Sequence, residues 1–522
     1  MLTRCTVAFA LLLAAGSSAL AIDEAHRAKG ERVATKAIEF LKAHQDPATG
    51  GWSVPPPKTA EGRGRPNLPA IAALVLNGML LHPGASLDDP SVGKGLKYVL
   101  SFRQPDGGIY DGQLPSYNTA ISLSMLSRVS TPEAEAAIAP AQEFLRHNQW
   151  GAPSPVGGTE APTVVTKEHP HFGGWGYGNR ARPDISNTAF AIEALADSGV
   201  PKDDPAFQRA IIFLQRLQMD GKINDQTYAK GSAQGGFIYG PGENAQSAGR
   251  GNSFAGNLEE TMDDGSKVSM LRAYGSSTYL GFKSYIYAGL TPSDPRVQTA
   301  LRWMQQHYSP FENPAMGSNG FYYYMLAMSR ALDATNAPTL AVARFEPLRM
   351  ALAVDGLPKD VTAAALNAAA QGESGAAPKV VLLLDSPGPT RSALVYMAKE
   401  DEVAGAETAL KASDLAGKAA GVTFARFPAS LGAAAPRDWQ NDMIDSLALL
   451  QNADGGFKSL DARWMEDNQD LIAAYSLLAL EHILRDENAT PKVLGNPGAP
   501  DKPAPLPLPA KSDTPQSPAK SN

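Results

Sequence analysis

The sequence predicts an all-α fold: an α/α toroid of six helical hairpins, forming an inner and an outer ring of helices, with a small α/β insertion before the last hairpin. Three observations predict it. A double glycine followed by an aromatic or large apolar residue recurs at Gly50-Gly51-Trp52, Gly107-Gly108-Ile109, Gly173-Gly174-Trp175, Gly235-Gly236-Phe237 and Gly455-Gly456-Phe457, with a degenerate copy in "GSNGFYYY" at 317–324. The helix ahead of most copies ends in glutamine, at Gln45, Gln104, Gln149, Gln218 and Gln451. The helix behind each copy carries few charges. One supersecondary unit returning six times marks a stacked-repeat architecture.

The chain opens on a leader. Arg4, the apolar run "VAFALLLAAG" and the small-residue site Ala19-Leu20-Ala21 read as a secretory signal peptide over 1–21, too short to span a membrane. The only cysteine, Cys5, lies inside it, so the mature chain holds no thiolate nucleophile and no thiolate metal ligand. The formal charge of −7 becomes −8 when Arg4 leaves, which disfavours nucleic acid as a partner. No later apolar run reaches transmembrane length, and a periplasmic or secreted product is expected.

Hairpins one to five occupy 22–336 and the last hairpin 438–487. The first helix of each pair is amphipathic: "KGERVATKAIEFLKAH" sets Val33, Ala37, Phe40 and Leu41 against charged neighbours, so one face is wet. The second helix, as in "PAIAALVLNGMLL" (69–81) or "SNTAFAIEALADSG" (186–199), is apolar or small nearly all round and belongs between two layers. An open solenoid would wet one face of that helix, whereas a closed double ring would not. Six inner helices about 9 Å apart leave a central space a few ångströms in radius. Small residues such as Ala120, Ala189 and Gly281 open it and Tyr279, Tyr322, Tyr323 and Tyr324 fill it, which predicts an aromatic-lined apolar cavity open at one end.

Residues 337–437 lack the repeat and read as the insertion: a strand over 379–385, helices around 390–398 and 404–418, and a strand over 421–427. From about Asn488 the Pro-, Ala-, Lys- and Ser-rich tail has too little apolar bulk to order itself.

Candidate site residues follow from this frame. The glycine turns are hinges and their aromatics wedges between hairpins; Trp175 and Tyr177, in the longer "GGWGYG" version, are expected to touch a ligand as well, together with Asn187, Tyr279 and Tyr323. "NTA" occurs at Asn118-Thr119-Ala120 and at Asn187-Thr188-Ala189, and Ser186, Asn187 and Thr188 suit the N-cap role at a helix start. Asp184 stands just ahead, at the cavity mouth, and heads the catalytic candidates; Asp467 and Asp470 in "MEDNQDLIAAY" are two further carboxylates at an inner-helix start. All inner helices run the same way, so their positive ends face one side and suit a polar or anionic head. Glu168, His169 and His171 are read as solvated loop residues, and Glu259, Glu260, Asp263 and Asp264 as a solvated loop without calcium-loop spacing. No metal and no cofactor are expected.

With its glycine turns, six hairpins and the "DISNTA" helix start, the chain resembles the prenyltransferase and squalene-oxidase repeat superfamily over roughly 25–335 and 438–485. That group includes the class II terpene cyclases and the β subunits of protein prenyltransferases, and the resemblance implies their α/α toroid and an isoprenoid-like ligand. The cyclase acid is the middle aspartate of a D-x-D-D-T-A motif. Asp184 matches its first aspartate, but Ser186 and Asn187 stand where the donor and its neighbour belong, and a hydroxyl is too weak an acid for that chemistry. The zinc site of the transferases needs a cysteine that is absent. The sequence therefore supports an exported cyclase- or prenyltransferase-like toroid that binds an apolar small molecule. Alternatives are a non-enzymatic scaffold for an unknown protein, and a polysaccharide lyase or hydrolase on the same fold.

Overall fold

The computed structural model describes residues 22–55, 65–152, 165–178, 181–243, 245–262, 264–371, 375–385, 389–417, 422–425 and 435–485. The expected leader, the expected tail and Asp263 lie outside the described residues. In chain order the helices are α1 (Glu24–His44), α2 (Pro69–Leu81), α3 (Pro90–Leu100), α4 (Pro115–Leu126), α5 (Pro132–Asn148), α6 (Ile185–Asp197), α7 (Pro205–Gln215), α8 (Gly275–Tyr287), α9 (Pro295–Gln306), α10 (Phe321–Asp333), α11 (Ala363–Gln371), α12 (Glu402–Ala412), α13 (Asp414–Gly417), α14 (Trp439–Leu450) and α15 (Gln469–Leu484). None of the described helices is long and apolar enough to cross a membrane.

The low-charge helices pack in sequence, α2 on α4, α4 on α6, α6 on α8, α8 on α10 and α10 on α15, and α15 returns to α2. Burial follows the sequence pattern. Every residue of α2 except Leu81 is buried, whereas α1 buries Gly30, Val33, Ala34, Ala37, Phe40 and Leu41, one helical face. Three of the amphipathic helices start identically. Asp89, Asp204 and Asp294 each precede a proline and accept a backbone N–H two residues on, at 2.9, 2.8 and 2.9 Å. Aspartate satisfies an orphan donor there, and proline at the first helical position lacks an N–H to lose.

Four of the five recurring glutamines hold neighbouring units together; Gln104 bonds only within its own unit, to Phe102 O and Tyr110 O. Gln45 Nε2 donates to Gly50 O and to Ser91 O, both at 2.8 Å, joining its own glycine turn to α3 of the next unit. Gln149 bridges Gly173 O and Ala206 O, and Gln218 bridges Gly235 O and Arg296 O, in the same way. Gln451 of the last unit reaches Gly455 O at 3.2 Å and Val33 O of α1 at 2.9 Å, so the bond that links successive units also links the last to the first. The turn itself needs glycine. Gly173 and Gly455 have φ of +88° and +94°, and a Cβ would stand 1.9 Å from Arg209 O and 2.3 Å from Lys36 O of the adjoining helices. The next-but-one residue is the wedge: Trp52 and Trp175 are buried and their indole N–H groups donate to Leu41 O and Leu145 O at 2.6 and 2.7 Å.

Between α10 and α14 the chain forms β3 (Leu340–Val342), which pairs antiparallel with β8 (Ala435–Arg437), and a four-stranded antiparallel sheet. Its strands are β4 (Ala351–Pro358), β5 (Val380–Asp385), β6 (Thr390–Tyr396) and β7 (Thr423–Ala425), in the order β5-β6-β4-β7. Leu352, Val354, Leu366, Val395, Val403 and Leu410 make its core with α11 and α12. The helix expected around 390–398 is strand β6. Its alternation was masked because the sheet is covered on both sides, so Ala393 to Tyr396 are all buried and read as a continuous apolar run. A second correction concerns 257–271. β1 (Asn257–Thr261) and β2 (Lys267–Leu271) form a hairpin rather than a solvated loop. Glu259 pairs with Lys267 at 2.7 Å, and Glu260 accepts from Ser232, Ala233 and Gln234; Asp264 accepts from Ser266 N in the turn.

Candidate functional site

The N-termini of the low-charge helices meet at one end, and side chains of neighbouring units cap them. Asn118 Oδ1 accepts from Ala70 N of α2 at 3.0 Å, and Asn313 Oδ1 from Ser276 N of α8 at 2.9 Å. At α10 the cap is Glu466, whose carboxylate accepts from Tyr322 N at 3.3 Å and Tyr323 N at 2.8 Å. Each such contact satisfies a donor that the helix leaves free.

Four helices send rings into this end. Tyr117 of α4 meets Phe190 of α6 edge-on at 5.6 Å, Phe190 lies 6.0 Å from Tyr323 of α10, and Tyr323 lies 5.7 Å from Tyr475 of α15. Tyr177, 37% exposed, adds a fifth ring 6.0 Å from Tyr117. Tyr117 and Tyr323 are half-buried, so the cluster keeps part of its ring surface accessible. Beside it the polar accounts do not close: Asn187 Oδ1 and Ser116 Oγ are buried with no hydrogen-bond partner.

Asp184 is fully buried next to these rings. It is itself the N-cap of α6, accepting Asn187 N at 2.9 Å and Asn187 Nδ2 at 2.8 Å. That corrects the expected capping by Ser186, Asn187 and Thr188, which lie within the helix. Thr188 instead accepts Trp175 N at 3.0 Å, as Thr119 accepts Ile109 N and Thr278 accepts Phe237 N. The repeated threonine thus fastens each glycine turn to its helix. Burial raises the Asp184 carboxyl to about 6; the Asn187 donors, Arg182 and Tyr239 pull the other way.

The other candidates separate. Asp470 is engaged with the first unit, accepting from Ser53 N at 3.0 Å and Ser53 Oγ at 2.7 Å and facing His44 Nδ1 at 2.9 Å. Asp467 is exposed, and Asn468 rather than either aspartate caps α15, accepting Leu471 N at 3.1 Å. The two carboxylates therefore do not form an acid–base pair. Trp175 and Tyr279 are fully buried and present no surface to a ligand; Tyr177 and Tyr323 do. His171 departs from the solvated-loop expectation. It is 1% exposed, packs edge-on against Trp150 at 4.7 Å, and burial first, then His169 and Arg182, hold its pKa down at about 4. Among the described residues no three His, Cys, Asp or Glu side chains gather as a metal site.

Two features escaped the sequence reading. Glu466 lies one position before the named pair, is fully buried, and burial raises its carboxyl to about 8 against the Tyr322 and Tyr323 N–H donors. With an unfolded value near 4.5, the folded state binds the extra proton between those pH values. Its contribution is therefore present below about 4.5 and lost as pH rises through about 8. Glu466→Gln is expected to gain thermal stability relative to wild type as pH is raised from 5 to 9; parallel melting curves against pH would refute it.

The second lies at the far end of the same helices. Glu193 of α6, Lys283 of α8 and Arg330 of α10 are each at most 3% exposed, and Glu193 Oε2 accepts Lys283 Nζ at 2.7 Å and Arg330 at 2.8 Å. Arg330 continues to His482 at 3.2 Å, and His482 faces Asp333 at 2.9 Å. The expectation of inner helices that are apolar or small nearly all round meets its exception here. A charge within the apolar run of each of three helices, near the same depth along the helix, is the available signal; only the packing shows that they meet.

No family model matches the chain, and no curated protein matches it. Among solved structures the chain is similar to a type II terpene cyclase MstE variant from Scytonema in complex with merosterolic acid A, at 10% identity over 88% of this chain and 98% of that one, with a TM-score of 0.38. It is also similar to a protein from Actinoplanes, at 14% identity over 74% and 97% of the two chains, with a TM-score of 0.32. The apo MstE structure scores 0.25 at 13% identity over 54% and 81%. These values establish neither a family nor a function.

Proposed function

We propose that the circuit of helices is an α/α toroid whose open end takes an apolar, isoprenoid-like small molecule, in a protein exported by its 1–21 leader. Tyr117, Phe190, Tyr323 and Tyr475, converging from four different helices, carry the reading. Aromatic faces held on rigid helices suit a flexible hydrocarbon, and the orphaned Asn187 Oδ1 and Ser116 Oγ beside them suit a polar head group. Cyclase-type protonation is not part of the proposal. Ser186 and Asn187 replace the donor, and Asp184 has both oxygens engaged by Asn187.

Native mass spectrometry of the secreted protein with added geranylgeraniol tests this. Wild type is expected to retain the probe, and Tyr323→Ala to lose about five- to thirtyfold in affinity, since an aromatic contact with its buried area is worth about 1–2 kcal/mol. Equal retention by both proteins, or none by wild type, refutes the ligand.

A second reading, a non-enzymatic scaffold, draws on one observation: Asp184 caps α6 and Asp470 ties the last unit to the first, so both candidate acids are structurally employed. The glycan-cleaving alternative finds its required charged residues at the far end of the helices, buried and paired with one another.

A further inference from the structure

A cleft of about 300 Å³ is lined by residues of the circuit and of the insertion, none of them a ring of the aromatic cluster. Phe254, Ala315, Met316 and Arg463 come from loops of the circuit, Met350 and Lys399 from the insertion. Its distinguishing group is Arg463. The guanidinium lies over the ring of Trp464 at 4.4 Å and over that of Phe254 at 5.0 Å. The two ring centroids are 5.4 Å apart, so both rings lie on one side of the guanidinium and leave its remaining N–H groups for an acceptor. Among the described residues those N–H groups have no carboxylate. Asp461 accepts Arg463 N at 2.7 Å and faces Lys379 at 3.6 Å, and Glu400, which lines the cleft together with Arg349, is paired with that arginine. Lys399, 72% exposed at its side chain, adds a second cation whose nearest carboxylate is Glu402 at 4.0 Å. Met316, Met350 and Ala315 supply apolar lining.

The backbone around the cleft is unusual. Ala315, Trp464 and Met465 have φ of +67°, +56° and +66°, a region non-glycine residues rarely adopt. Such conformations persist only where the surroundings hold them and gather at functional positions. Here they turn Trp464 under the arginine while leaving that ring 41% exposed.

We infer that this cleft binds a small amphiphilic anion, a carboxylate or phosphate head seated on the edge of Arg463 with Lys399 beside it, and a short hydrocarbon body against Met316 and Met350. The site shares no lining residue with the proposed apolar mouth and draws on both circuit and insertion. A planar fork suits both head groups, bidentately.

Isothermal titration calorimetry of the full chain with octanoate, octyl phosphate and octyltrimethylammonium tests it. The two anions are expected to bind and the cation not; the stronger of the two anions identifies the head group. Arg463→Met is expected to weaken anion binding at least about tenfold, Arg463→Lys less, and Tyr323→Ala not at all. Three results overturn the inference: no anion binding to a folded wild type, equal binding of the cation, or binding that survives Arg463→Met. Anion binding lost in Tyr323→Ala and kept in Arg463→Met places the anion in the mouth and overturns it too. Failure of geranylgeraniol to bind bears only on the earlier proposal.

Discussion

Replacing Gly173 by alanine is expected to leave little folded protein at ordinary temperature. The residue combines a φ of +88° with a Cβ position 1.9 Å from Arg209 O. The left-handed conformation alone costs an alanine about 1–2 kcal/mol. The contact is worse, because Arg209 O belongs to the backbone of α7 and cannot rotate away as a side chain would. Relief requires α5 and α7 to separate, which breaks the Gln149 bridge to Gly173 O and Ala206 O and exposes Trp175. We expect a loss well above 4 kcal/mol, the range of severe core disruption. Gly199 supplies the control. Its φ is +87°, but nothing lies within 4 Å of an added Cβ, so Gly199→Ala should cost only the conformational part. Urea denaturation midpoints of the two variants separate the effects, and similar midpoints would refute the close approach between units.

Glu193→Gln is expected to be the next most damaging change. Its carboxylate pairs with both Lys283 and Arg330 where water is excluded, and removing one partner of a buried cluster leaves charge without compensation, at about 3–5 kcal/mol. The attraction to Arg330 and Lys283 holds the Glu193 carboxyl below its usual value in spite of burial. Its stabilisation is accordingly present above the unfolded value near 4.5 and lost as pH falls through the depressed one. Glu193→Gln combined with Lys283→Met removes one charge of each sign and should recover part of the loss. A double-mutant cycle on unfolding free energies measures that coupling; additive losses would show that the pair does not interact.

Much of the architecture could be read from local pattern. The glycine hinges, the alternation of half-wet and fully apolar helices, and the aspartate–proline helix starts are short-range signals, because each answers a need of the backbone within a few residues. Strand β6 is not legible because burial on both faces erases the period of two, and the β1–β2 hairpin is not legible because its strands are mostly exposed and carry no apolar alternation. The candidate site was less legible. Tyr323 and Tyr177 carried an aromatic signal. Glu466 carried none: an acid one residue ahead of a helix start looks like surface until its carboxylate is found on the N-terminus of a different helix.

The sequence by itself determined the repeating unit and which face of each helix must avoid water, since those depend on periodicity and on backbone conformations that only glycine tolerates. Tertiary structure alone decided how the units pair around the circuit, that Asp184 and Asp470 are held by structural partners, and that Glu193, Lys283 and Arg330 meet. Their separations in sequence are 90 and 137 residues, and at that range a charge is chosen by the partner that packing brings to it rather than by its neighbours in the chain.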